Sequence, residues 1–479
     1  MFDANDEKAV SRREFLKIAG VAGATVGLGA GLGGLVVACG GTEETTTTTG
    51  GATTTAGQVT TTTVAASTTT VSAGPEAGRP IKIGVLSPKT GAIASFGKPD
   101  EWIVGVVSTA IKDGVVCGDK KLHTFDFVIE DTQSNPSRSA QVAGDLILNS
   151  KVDMILASSS PDNVNPAADQ CEALGVPFLA NSVPWQPFYL GRGATPDKPF
   201  KWTYMYWFGL EDAAAARIGA WPQVPNNKKV GILLPNDADG VAWASEKTGI
   251  QAPLRAAGYE VVQPSLHDAT AEDFTAQITE FKKAGCEICT GIETPPLFTN
   301  FWKQSLQQGF KPKISWFGKA LLFHETLVAL GDSGIGLSGE VVWHPTFPYK
   351  SSLTGQTCQE LADQYVADTG NGWTEPIGQY GKFEWAIDVY KRMTDIEDKE
   401  LFPPVVQATK LDTVNGPVDF TAPVKLGTVH PVLNVFKIRI AVGQWRKVEG
   451  GKWPYDVSLC FASDPSIPTT SQLEPIAYS

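Results

Sequence analysis

Ile81-Lys-Ile-Gly-Val-Leu-Ser-Pro-Lys-Thr-Gly-Ala-Ile-Ala-Ser-Phe-Gly97 decides the fold. Its first six residues form a short apolar run of β-branched character, which reads as a buried strand. Ser, Pro and Gly then break the pattern, and Asp100 to Asp113 follows with helical spacing. The same alternation continues downstream. Thr124 to Ile129 is the next strand and Pro136 to Leu148 the next helix. Val152 to Ala157 is a third strand followed by a helix after Pro161, and Val176 to Ala180 is a short fourth. Strands separated by helices are the pattern of βαβ units around a parallel sheet.

The pattern restarts near Lys229. Val230 to Leu234, Tyr259 to Val262, Glu287 to Thr290 and Ile314 to Phe317 read as strands. Helices are expected at Val241 to Ala257 and Ala271 to Ala284, with another between the last two strands. Helical spacing returns at Gln359 to Asp368 and Pro376 to Met393, and Leu411 to Val457 alternates in strand-like pieces. Two successive segments of this kind, each about 120–130 residues, predict two lobes of ordinary domain size. The aromatic stretch Lys201 to Phe208 joins them and reads as a crossover strand.

In open α/β sheets ligands bind beyond the carboxyl ends of the strands. Those ends carry Ser158-Ser-Ser-Pro-Asp162, Asn181-Ser-Val-Pro-Trp185, Asn236-Asp-Ala-Asp-Gly240 and Glu293-Thr-Pro-Pro296. Hydroxyls, amides and aromatics dominate the first lobe's ends, and acids those of the second. Ser160 precedes Pro161, a good first helical residue, and is the expected N-cap. Free N–H groups at that helix start, with the hydroxyls of Ser158 and Ser159, suit a carboxylate. The bland alternative is that all three serines only cap the helix. Phe96 and Trp185 are candidate apolar walls, with core packing as their alternative. Asp237, Asp239 and Glu293 are candidate acceptors for a solute cation and equally candidate turn or cap residues.

The Pro-x-Thr-Gly-x-x-Ala-x-x-Gly start (Pro88 to Gly97) is one of several ordered motifs. Glu130-Asp131 closes the second strand, a serine cluster follows the third, and Asp237-x-x-Gly240 forms a turn. Together these resemble type 1 periplasmic-binding proteins of the branched-chain amino acid branch that serves ABC importers. The resemblance runs from Ile81 to the tail. It implies two doubly wound parallel-sheet lobes joined by three crossovers, with residues 80–207 plus 345–415 as lobe 1 and 208–344 plus 416–479 as lobe 2. It further implies solute capture in the cleft and delivery to permease subunits. In such proteins the serine cluster and a second loop, here Asn181 and Ser182, hold the solute. Their usual acid for an amino group falls where this chain has Gly318-Lys-Ala320, without a carboxylate. That departure tilts the expected solute toward a small carboxylate or amide with an apolar or aromatic body.

The N-terminus reads as an address. Ser11-Arg-Arg-Glu-Phe-Leu-Lys17 precedes 21 uncharged residues, Ile18 to Ala38, and then Val36-Val-Ala-Cys39. This resembles a twin-arginine export signal merged with a lipoprotein lipobox, with the lipid on Cys39. The seven glycines between Gly20 and Gly34 disfavour a permanent membrane helix. From Thr42 to Thr70, 16 of 29 positions are threonine, so residues 39–79 are expected to be a disordered tether. The predicted location is the outer face of the cytoplasmic membrane.

The chain carries a net charge of −12 without a basic run, a poor match for nucleic acid. Six cysteines follow Cys39, and the sequence selects no pairing among them. Gly334-Ile-Gly-Leu-Ser-Gly339 fits a dinucleotide string but precedes a strand instead of opening a helix. Gly331-Asp-Ser-Gly334 has no partner His beyond His324, which reads as an incidental helix residue. No GxSxG elbow is present, Cys286-x-x-Cys289 lacks a second pair, and the five histidines are scattered. The expectation is therefore a binding protein without catalysis, cofactor or metal. A sensory protein reporting to a membrane partner is its rival.

Overall fold

The computed structural model describes residues 74–478 apart from Pro423 and residues 427–429. The signal, Cys39 and the threonine-rich tether lie outside the described residues.

The first sheet contains β1 (Ile81–Ser87), β2 (Phe125–Asp131), β3 (Met154–Ala157), β4 (Phe178–Ala180) and β5 (Thr203–Tyr206). The second contains β6 (Lys229–Leu233), β7 (Glu260–Val262), β8 (Ile288–Glu293), β9 (Ile314–Lys319) and β10 (Ser338–Val341). The tail supplies β11 (Val435–Phe436), β12 (Ala441–Lys447) and β13 (Tyr455–Ala462). Sheet one runs β11-β5-β4-β3-β1-β2, with every pair parallel. Sheet two runs β13-β12-β10-β9-β8-β6-β7 and is parallel except for β12 and β13, which add antiparallel at one edge. The chain passes between the sheets after β5, after β10 and after β11, giving the three crossovers the resemblance implies.

Near-continuous apolar strands make this arrangement: Ile81, Ile83, Val85 and Leu86 are all fully buried, as a strand covered on both faces requires. The helix Pro136–Leu148 starts on an Asn135 cap that accepts the Arg138 N–H and buries Val142, Ala143 and Leu146. The helix Pro161–Leu174 starts on Ser160, whose side chain accepts the Asn163 N–H. It ends at Gly175 in the left-handed region.

Three expectations need correction. The helix drawn from Val241 to Ala257 is two short helices, Ala238–Trp243 and Gln251–Ala256. The turn between them closes on Gly249, which passes so near the Trp243 carbonyl oxygen that a Cβ there would lie 2.2 Å from it. Phe420 and β11, assigned above to the second lobe with the rest of 416–479, instead serve the first: β11 pairs with β5, and Phe420 stacks on Trp385 with ring centroids 4.9 Å apart. His324 is no incidental helix residue. It is sandwiched against Trp453 (5.2 Å), edge-on to Trp373 and Trp445, and its Nε2 lies 3.2 Å from Asp456.

All six described cysteines are free and buried, so the described residues contain no disulfide.

Candidate functional site

The carboxyl ends of both sheets face a common cavity of about 50 Å3, room for a few waters, so the lobes stand too close together here for a solute of amino-acid size. Lobe 1 contributes Phe96 after β1, Ser159 after β3, and Ser182 and Pro184 after β4. The first crossover contributes Trp207 and Phe208. Lobe 2 contributes Asp239 and Trp243 after β6, Ile292 from β8, Gly318 and Lys319 from β9, and Glu340 from β10. Aromatic rings make the walls, and the polar groups are few and individually placed.

The lobes meet around this cavity. Phe96 and Phe323 cross the cleft edge to face at 4.8 Å and, with Ile93 and Leu322, form an apolar cluster separate from the main core. At the rim, Lys98 of lobe 1 pairs with Glu325 of lobe 2.

The backbone is strained here. Eight described non-glycine residues have positive φ, and three of them line the cavity: Ser159 (104°), Ser182 (61°) and Lys319 (57°). Lys319, with ψ at −67°, sits in the disfavoured γ-turn region. Such conformations cost about 1–3 kcal/mol each and persist where the surroundings over-determine them.

The electrostatics of lobe 2 rest on two buried pairs. Lys319 Nζ lies 2.5 Å from Asp239 Oδ2 and 3.9 Å from Asp237 Oδ2. Burial works against the Lys319 ammonium, but Asp239 and Asp237 outweigh it and hold its pKa above the ordinary lysine value. Burial pushes Asp239 up to about 6, despite the opposing pull of Lys319. The second pair is Arg217 with Glu340, at 2.9 Å and fully desolvated. The Arg217 guanidinium lies over the rings of Trp243 (5.0 Å) and Trp316 (4.7 Å). Burial lowers its pKa, with Glu340 opposing.

Ser158 stands behind the cavity. Its hydroxyl donates to Gln379 Oε1 and accepts from Lys382 Nζ at 2.9 Å. Gln379 Nε2 in turn donates to the Phe96 carbonyl at 3.1 Å. Lys382 is fully buried, 3.8 Å from Asp100, and burial lowers its pKa against the pull of Asp100. This network fixes Phe96 and the serine turn from below.

The expected residues therefore divide. Phe96, Ser159, Ser182 and Asp239 come together on the cavity wall. Ser160 caps its helix. Asn181 is buried beside Tyr206, 3.4 Å from its hydroxyl. Trp185 packs at the crossover, donating to Glu211 at 3.0 Å. Asp237 caps the helix Ala238–Trp243 and accepts the Gly240 N–H at 2.7 Å. Only glycine fits that turn, because a Cβ at position 240 would lie 1.7 Å from the Pro235 carbonyl oxygen. Glu293 is held by His267 Nε2 at 2.9 Å and pushed up to about 7 by burial. It does not line the cavity.

Sequence reasoning missed Lys319 as a lining group, along with Glu340, Trp207, Phe208 and Trp243. It also missed the supporting Arg217, Gln379 and Lys382. Three of these carry a readable signal, an ionisable residue inside an otherwise apolar stretch: Arg217 in an alanine-rich helix, Glu340 in a buried strand, and Lys382 beside Phe383 and Trp385.

A model of the periplasmic binding protein family matches residues 80–439. The chain belongs to that family. Solved periplasmic binding proteins share its fold at low identity. A leucine binding protein from Thermotoga maritima MSB8 is 17% identical, with a TM-score of 0.63 over 80% of this chain and 99% of that one. The branched-chain amino acid transporter substrate binding protein of Streptococcus pneumoniae, solved with isoleucine, is 16% identical (TM-score 0.60; 79% and 99% covered). An R. palustris ABC-transporter solute binding protein in complex with 4-hydroxybenzoate is 19% identical (TM-score 0.61; 82% and 98% covered). Among the described residues of this periplasmic binding protein, no helix is long and apolar enough to cross a membrane.

Proposed function

We propose that this protein is the solute receptor of an ABC importer. It works outside the cytoplasmic membrane, is held there by a lipid on Cys39, and captures a small carboxylate-bearing or amino acid-like solute with an aromatic body. The cleft cavity at the facing strand ends of two lobes joined by three crossovers carries this reading. Its aromatic walls suit a flat apolar body. Ser159, Ser182 and the start of the helix Pro161–Leu174 suit the carboxylate, since helix N-termini favour negative charge. The related structures with isoleucine and 4-hydroxybenzoate span the solute chemistries in question.

Closure is the proposed work of binding. A solute that touches both lobes favours the closed form by its extra affinity for that form alone, and the closed form is what the permease meets. No bond is made or broken in this reading.

The test is native purification, followed by denaturation and mass spectrometry of whatever solute is released. Calorimetry with amino acids and aromatic acids, and scattering with and without the tightest of them, complete it. The expected result is one released small carboxylate and a particle that contracts on binding. A rigid particle that binds nothing from the panel and releases nothing refutes the reading. Mass spectrometry of the N-terminal peptide should find Cys39 acylated, and unmodified Cys39 removes the anchor from the proposal.

A further inference from the structure

Lobe 2 meets the cavity with carboxylate oxygens that have no hydrogen-bond partner. Asp239 Oδ1 is one, since Lys319 engages only Oδ2, and both oxygens of Glu340 are others. Glu340 is only 3% exposed. Arg217 approaches it at 2.9 Å without the alignment of a hydrogen bond, so the charge is balanced while the lone pairs stay free.

The neighbouring strand makes room for this acid. Gly318 on β9 lies alongside it, and a Cβ there would stand 3.3 Å from Glu340 Oε2 and 2.5 Å from Ile292 Cδ1. The carboxylate absent from Gly318-Lys-Ala320 is thus supplied one strand over, from β10, through the gap that glycine leaves. A buried acceptor without a donor is costly, and a partner that satisfies it is favoured accordingly.

We propose that Glu340 is the specificity-determining residue for the lobe-2 end of the solute, and that this end carries a hydrogen-bond donor, an N–H or an O–H, on an aromatic body. The proposal rests on the receptor reading above and deepens it. Ser159, whose hydroxyl is also unpartnered, lies on the opposite lobe and leaves the carboxylate end to lobe 1. Ammonium and phenol share the donor chemistry, and matched probes separate them.

The experiment is calorimetry on the folded receptor with two pairs: 4-hydroxybenzoate against benzoate, and L-phenylalanine against 3-phenylpropionate. In one pair the donor-bearing member should bind tenfold or more tighter, the scale of a hydrogen bond to a charged group. Glu340→Gln should cut that preference to within about threefold. Because Glu340→Gln strands Arg217, Gly318→Ala is the second variant. It leaves the ion pair intact, crowds the carboxylate and moves only the end of Ile292, and it should also lower the donor preference. Equal binding within both pairs, or a preference untouched in both variants, overturns the proposal. Silence with all four probes overturns it too, and the receptor reading then stands or falls separately on the released solute.

Discussion

Replacing Lys319 separates the two roles that this residue holds at once. Its ammonium is the closest cation to Asp239, at 2.5 Å, and its backbone occupies a region that costs a non-glycine residue about 1–3 kcal/mol. Lys319→Ala removes the cation and keeps the strain. Breaking a buried pair from one side costs about 3–5 kcal/mol. Protonation offers Asp239 an escape, because its pKa already stands at about 6 and each further unit is about 1.4 kcal/mol. The loss should therefore sit near the lower end, about 3 kcal/mol at pH 7, and shrink at pH 5. Lys319→Gly removes the same cation and relieves the backbone. Against that relief stands about 0.4–1 kcal/mol of extra freedom for glycine in the unfolded chain. The net expectation is that the glycine variant exceeds the alanine variant by about 0.5–2 kcal/mol. Asp239→Asn in the Lys319→Ala background should recover part of the deficit, since neither charge is then left alone. Equilibrium denaturation in urea, followed by tryptophan fluorescence, measures all three. If Lys319→Ala is as stable as Lys319→Gly, the strain argument fails. If its deficit is no larger at pH 8 than at pH 5, the ion-pair argument fails.

Other consequences follow for the same molecule. Ser159→Ala, at a buried hydroxyl facing the cavity, should weaken solute binding about tenfold in calorimetry with little change in melting temperature. Ser158→Ala should instead lower the melting temperature, because its hydroxyl is engaged by Gln379 and Lys382; an unchanged melting temperature would count against that assignment. Burial pushes Glu375 up to about 8, so the folded chain holds a proton that the unfolded chain has released. Its contribution is full below the ordinary glutamate range and is lost as pH rises through 8. Glu375→Gln should therefore flatten the fall in melting temperature between pH 6 and 8, and an identical slope would reject this. Cys39→Ser should release the protein from membranes on cell fractionation.

The strands and most helices were legible because their signals are local. Buried parallel strands such as β3 and β4 are continuous apolar runs, and Asn135-Pro136 and Ser160-Pro161 announce helix starts in two residues. The split of the Val241 to Ala257 helix was hidden because the turn packs the Gly249 backbone against the Trp243 carbonyl, a close approach that only the folded chain displays. The site was half legible for a similar reason. Ser159 and Ser182 sit in loops that follow strands, and Asp239 in the first turn of the helix after β6, where chain order predicts a cleft. Glu340 lies within β10 and reaches the cavity only because β9 beside it carries Gly318, a lateral relation that no single segment displays. Ser158 looked like its neighbour Ser159, but one residue along a turn reverses which way a hydroxyl points. Lobe membership of Val435 and Phe436 depended on β11 pairing with β5, more than 220 residues earlier in the chain.

On the receptor reading proposed above, the small cluster of Ile93, Phe96, Leu322 and Phe323 sets how firmly the empty lobes shut. Taking an aromatic ring wholly out of water is worth at most about 3 kcal/mol, so parting these two rings costs no more than about 6 kcal/mol. The salt bridge at the rim adds about 1 kcal/mol at best. Moving a two-state equilibrium from one extreme to the other takes about 5.5 kcal/mol. The upper limit for the two rings and the salt bridge is therefore of the same order as that swing. A larger seam would lock the vacant jaws, and a smaller one would let cargo leak before a transporter was found.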